Sequence, residues 1–157
     1  MQSVRFANRQ TLPVDGNRLV DLLAFAMGRL GMTGSISLAV VDDETIIELN
    51  RRFLGREGPT DVMAFPLEDD RVPDPDPEIG EIVLSAATAE DQARDLGHPF
   101  QREADLLALH GLLHLAGRDD ADPGERKAML AEADALLEAF DAAGGGDDMR
   151  NRDGKSP

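Results

Sequence analysis

The segment from Leu106 to Asp120, L-L-A-L-H-G-L-L-H-L-A-G-R-D-D, limits the folds open to this chain more than any other stretch. Its leucines (106, 107, 109, 112, 113 and 115) read as a buried helix. His110 and His114, four apart, put both imidazoles on one face of that helix, a turn apart. That spacing suits two ligands of one metal ion. Gly117 can end the helix in a left-handed conformation and bring Arg118, Asp119 and Asp120 back toward the imidazoles. A third ligand then comes from Asp120 or Asp119. A lone histidine in such a run would be read as core. Two of only three histidines at ligand spacing, followed by glycine and two carboxylates, reverse that reading.

The same histidine pair occurs in zinc peptidases as H-E-x-x-H, where the glutamate is the general base. Here that position is Gly111, so peptide hydrolysis on that plan is disfavoured; Asp61 and Glu81 are the alternative bases. At 157 residues the chain is one domain's worth, long enough to bury a core without staples. It has no cysteine, which excludes disulfides and thiolate metal sites. No signal pattern and no apolar run of spanning length are present, so the expectation is a cytoplasmic protein with no membrane partner. The net charge of −15 argues against a polyanionic partner, DNA included, but its distribution softens the objection. Residues 1–60 hold seven basic and seven acidic side chains, whereas residues 61–157 hold 24 acidic against 9 basic. Arg51, Arg52 and Arg56 cluster in the neutral part. Such a cluster reads first as a solvated helix face, and second as a source of phosphate attraction.

Taken in order, the pattern predicts a strand over 4–10, a helix capped by Asp15 or Asn17 to Leu30, and a strand over 35–41. A helix follows Asp42 and runs to a break at Gly55. A short strand over 62–65 and another over 79–85 flank an Asp- and Pro-rich connection, across which hairpin-like pairing is expected. Helices then start at Ser85 or Thr88, near Phe100 and at Pro123. The last has an apolar face of Met129, Leu130, Ala133, Leu136, Leu137 and Phe140. The expected fold is a single α+β domain over 1–141, a small mixed four-stranded sheet packed with about five helices, and a disordered tail over 142–157. His98, outside the ligand spacing, is expected in a loop or cap.

Three segments together resemble the YbeY family of bacterial rRNA maturation factors, single-domain metal-dependent endoribonucleases. They are L-N-R-R-F (Leu49 to Phe53) with P-T-D-V-M-A-F-P (Pro59 to Pro66), I-G-E-I-V-L-S (Ile79 to Ser85), and H-G-L-L-H-L-A-G-R-D-D (His110 to Asp120). The resemblance implies a zincin-like metal helix and one Zn2+ per chain. It also implies single-strand-specific cleavage in rRNA maturation at the 16S rRNA 3′ end, with a part in ribosome quality control. The partners it implies are rRNA and the small ribosomal subunit, with ribosomal proteins or an assembly GTPase.

The family motif H-G-x-L-H-L-x-G-Y-D-H holds zinc through three histidines. The first two align with His110 and His114, and the third with Asp120; Asp119 is the rival ligand. A carboxylate remains a good zinc ligand but makes the site one unit more negative. An arginine tied to activity in the family aligns with Leu54, which leaves Arg56, Arg52 and Arg118 as candidate cations and Asp61 as candidate base. The alternative these departures raise is a non-catalytic ribosome assembly factor that keeps the metal site. More remote are another metal-dependent hydrolase or a non-haem iron enzyme, since two histidines and a carboxylate also bind Fe(II). The latter usually needs a β-barrel, which so strand-poor a chain cannot build.

Overall fold

The computed structural model describes residues 2–55, 58, 60–67 and 77–145. The expected tail beyond residue 145 and the Arg56 candidate lie outside them.

Four of the five α-helices begin where a side chain replaces the missing backbone acceptor. Asp15 caps α1 (Gly16–Leu30), Asp42 caps α2 (Asp43–Leu49), Ser85 caps α3 (Ala86–Leu96), and Asp122 caps α5 (Pro123–Ala142). Each accepts from the amide three residues on, at 2.8 to 3.2 Å. The fifth, α4 (Phe100–Leu115), starts after Pro99 and carries the two histidines. At its end Gly117 adopts φ 95°, its amide bonds to the His114 carbonyl, and the Arg118 amide bonds to the Leu113 carbonyl. This Schellman arrangement reverses the chain as the sequence predicts.

Strands β1 (Gln2–Arg9), β2 (Gly34–Val41), β3 (Val62–Pro66) and β4 (Glu78–Ser85) form one sheet in the order β1-β2-β4-β3. The β1–β2 and β2–β4 pairs are parallel. The expected hairpin-like pairing is present: β3 runs antiparallel to β4, with Val62 opposite Leu84 and Pro66 opposite Gly80. Side chains alternate across the sheet. Ile36, Leu38 and Val40 of β2 join Ile82 and Leu84 of β4 against α1, α4 and α5. On the other face Val41, Met63 and Val83 pack under Ile46 of α2. Glycine at 111 lets α4 lie close on this sheet, because a Cβ there would stand 2.6 Å from Ile82 Cγ2.

Three expectations change. The helix expected from Asp42 to Gly55 stays α-helical only to Leu49 and then widens into a π-helical turn, Asn50–Leu54, closed by Gly55 at φ 65°. Phe53, half exposed there, meets Phe65 edge-on with ring centroids 5.8 Å apart. Leu130 does not belong to the buried stripe of α5: it is 42% exposed, while Met129, Ala133, Leu136, Leu137 and Phe140 are buried. Glu81 cannot serve the histidines as a base. It points from the opposite face of the sheet, in a shallow depression with Arg5 and Arg9.

Candidate active site

A cleft of about 580 Å³ opens between the edge of β3, the C-terminal half of α4 and the first turns of α5. Its floor carries His110 and His114, one wall carries Thr60, Asp61, Val62 and Leu54, and the other carries Asp120, Arg126, Met129 and Leu130. The i, i+4 spacing and the Schellman turn thus bring the two histidines and Asp120 into one space.

His110 is half buried. Burial pushes its imidazole below the ordinary histidine range, outweighing the opposite pull of the Asp61 and Glu103 carboxylates. The ring is therefore held neutral near pH 7, the state in which a nitrogen can ligate a metal. His114 Nε2 lies 3.7 Å from Asp120 Oδ2. Asp119 is turned away: its Oδ1 accepts the Asp120 amide at 2.8 Å, a bond that orders the loop, and Asp119 does not line the cleft. Among the described residues no three histidine, aspartate or glutamate side chains are drawn together at metal-ligand spacing. Two imidazoles and a carboxylate are nonetheless a donor set suited to a divalent ion of the zinc class. Asp120 sits exposed on the loop between α4 and α5.

Asp61, the candidate base, also has a local structural role. Its Oδ1 accepts the Val62 amide at 2.8 Å and its Oδ2 accepts from Gln92 Nε2 at 3.2 Å, while its own carbonyl accepts the Ser85 amide at 2.9 Å. These bonds turn the backbone into β3 and at the same time fix a carboxylate in the cleft.

The candidate cations separate. Arg118 is committed to Glu132 through two 2.9 Å hydrogen bonds, which hold the arginine firmly protonated and the Glu132 carboxyl below its usual range, and it does not line the cleft. Arg51 pairs with Glu48, and Arg52 lies over the Phe53 ring at 5.6 Å. Arg126, absent from the sequence-level candidates, is the cation that lines the cleft among the described residues. The signal for it was present: Asp122-Pro123 starts a helix two residues after Asp120, so the first turns of that helix must flank whatever Asp120 faces. His98, as expected, lies just past a helix end and its Nε2 meets the buried Glu103 Oε1 at 2.6 Å.

A family model described as Endoribonuclease YbeY matches residues 8–141. The chain belongs to the YbeY family. Curated relatives named Endoribonuclease YbeY include one from Cutibacterium acnes, 37% identical over 145 residues that cover 88% of this chain and 94% of that protein. Another, from Nocardioides sp., is 37% identical over 147 residues, covering 89% and 99%. The solution structure of TM1509 from Thermotoga maritima shares the fold, with a TM-score of 0.60 at 24% identity over 92% of this chain and 95% of that one. The YbeY family resemblance seen in three motifs therefore extends across most of the chain, and the α+β architecture is that of a solved structure.

Proposed function

We propose that this chain is a hydrolytic endoribonuclease of rRNA maturation that holds one Zn2+ through His110, His114 and Asp120. The observation that carries this reading is the convergence of His110, His114, Asp120 and Asp61 on one cleft in a chain of the YbeY family. When bound, zinc supplies Lewis acidity toward a phosphoryl oxygen and toward the attacking water. The chain's own groups do the rest. His110, kept neutral by burial, offers a nitrogen rather than a charge. Asp61, fixed by Val62 and Gln92, is positioned to accept the proton released as water attacks phosphorus. A cleft of about 580 Å³ is of a size for single nucleotides rather than a whole helix, and specific RNA recognition is mostly of single-stranded segments, which favours rRNA segments such as a 16S 3′ end. On this reading the protein works in the cytoplasm on the small ribosomal subunit, with ribosomal proteins or an assembly GTPase as partners and ribosome quality control as a second setting.

Metal analysis of purified protein beside cleavage of a structured rRNA fragment tests the proposal. About one zinc per chain is expected, lost together with cleavage in His114→Ala and Asp120→Ala. Full cleavage by a metal-free variant would overturn it. Zinc retained over intact RNA would turn the reading toward an assembly factor.

A further inference from the structure

We infer that Arg126 is the residue that binds the RNA phosphate in this cleft, a role that rests on the nuclease reading above. Its position is exposed and mildly unfavourable to the helix that carries it. It lies in the first turns of α5, where the helix dipole favours anions and disfavours an arginine. It makes no ion pair with any described residue, although its neighbours include many carboxylates. It faces the space shared by His110, His114 and Asp120. That space is otherwise acidic, with Asp61 and Asp120 on its walls, so an RNA phosphate entering it meets repulsion that one cation must offset. Of the other arginines named above, Arg118 is paired with Glu132 and Arg51 with Glu48, while Arg52 lies over the Phe53 ring, and none of the three lines the cleft. A planar guanidinium suits two phosphate oxygens at once. On the opposite wall stands Leu54, 49% exposed and uncharged. Among the described residues the cleft thus carries its cation on the α5 side, and Leu54 contributes none.

The test is equilibrium binding of a fluorescein-labelled single-stranded 2′-O-methyl RNA across a salt series, with probe integrity checked on a gel. Arg126→Ala should weaken binding several-fold at low salt and reduce the slope of log K against log salt by about 0.7, one phosphate contact on a single strand. Thermal stability should stay level or rise, because a cation leaves a helix N-terminus; a purely structural role would lower it. Arg126→Lys should keep the slope. Arg94→Ala, on a remote face of α3, should change nothing. Wild-type binding with an unchanged slope in Arg126→Ala overturns the assignment of Arg126 alone. No binding by the wild type overturns the nuclease reading with it.

Discussion

Gly111 explains why this chain carries no glutamate where the zinc peptidases have their base. A side chain there would enter β4, since even a Cβ stands 2.6 Å from Ile82 Cγ2. Any proton acceptor must then come from another element, and of the two carboxylates that line the cleft, Asp61 beside β3 is the one not assigned to the metal. Gly111→Ala should therefore destabilise the protein despite alanine's better helix propensity. Overpacking costs about 1–3 kcal/mol and the propensity gain returns about 1 kcal/mol, so a net loss of up to about 2 kcal/mol is expected. Gly28 provides the internal contrast. It is exposed on α1, with open space around its would-be Cβ, and Gly28→Ala should stabilise by about 0.5–1 kcal/mol. Urea midpoints of the two variants read the difference; equal shifts would show that α4 has room to move off the sheet. The histidine pair, the Gly117 turn and the Asp120 approach were legible in the sequence because each follows from local spacing. The closeness of Gly111 to Ile82 was not, because spacing along one helix says nothing of how near the next layer lies.

At the scale of elements, the helices and strands were legible through their caps and apolar periods, whereas the ties between them were not. Arg18 of α1 reaches Asp105 of α4 and Asp141 of α5, at 2.8 Å each. Gln101 Nε2 donates to the same Asp105 at 2.9 Å and Gln101 Oε1 accepts the Asp15 amide at 2.8 Å. Arg18 also lies over the Phe140 ring at 5.3 Å. The sequence places these residues on helices but offers no sign that positions 18 and 105 meet. The partners respond differently. Burial pushes the Asp105 carboxyl up, more than Gln101 and Arg18 pull it down. Arg18, despite burial, is held more firmly protonated by its two carboxylates. Removing Arg18 leaves the buried Asp105 without its counter-charge and with Gln101 as its remaining hydrogen-bond partner, so Arg18→Ala should cost about 3 kcal/mol.

The pH dependence has a definite sign. A carboxyl whose folded pKa exceeds its unfolded value leaves the folded state binding more protons between the two, so its contribution to stability falls as pH rises through that window. The stability of wild type minus that of Asp105→Asn should accordingly decline as pH rises above about 4, the ordinary aspartate value. Subtracting the variant removes the common contribution of the other carboxylates. A difference that grows with pH would mean that Arg18 outweighs burial.

For the whole molecule, charge sets how RNA is bound. A net charge of −15 surrounds a cleft whose one lining cation, among the described residues, is Arg126. Proteins that track nucleic acid along a basic face lose affinity steeply with salt, by about 0.7 in log–log slope for each single-strand phosphate neutralised. The sequence supplies few cations for such a face: its acidic excess begins at residue 61, and Arg51 of the arginine cluster near Phe53 is paired with Glu48. Single-stranded RNA should therefore bind with a slope of only about −0.7 to −1.4, one or two phosphates. Divalent cations that screen the acidic surface should raise affinity more than monovalent salt lowers it. Fluorescence anisotropy over a monovalent series, repeated with magnesium, measures both. A slope steeper than about −3 would require a basic surface outside the cleft. A shallow slope locates recognition in the cleft itself and in stacking against groups such as the exposed Phe53, whose attraction for a base survives salt.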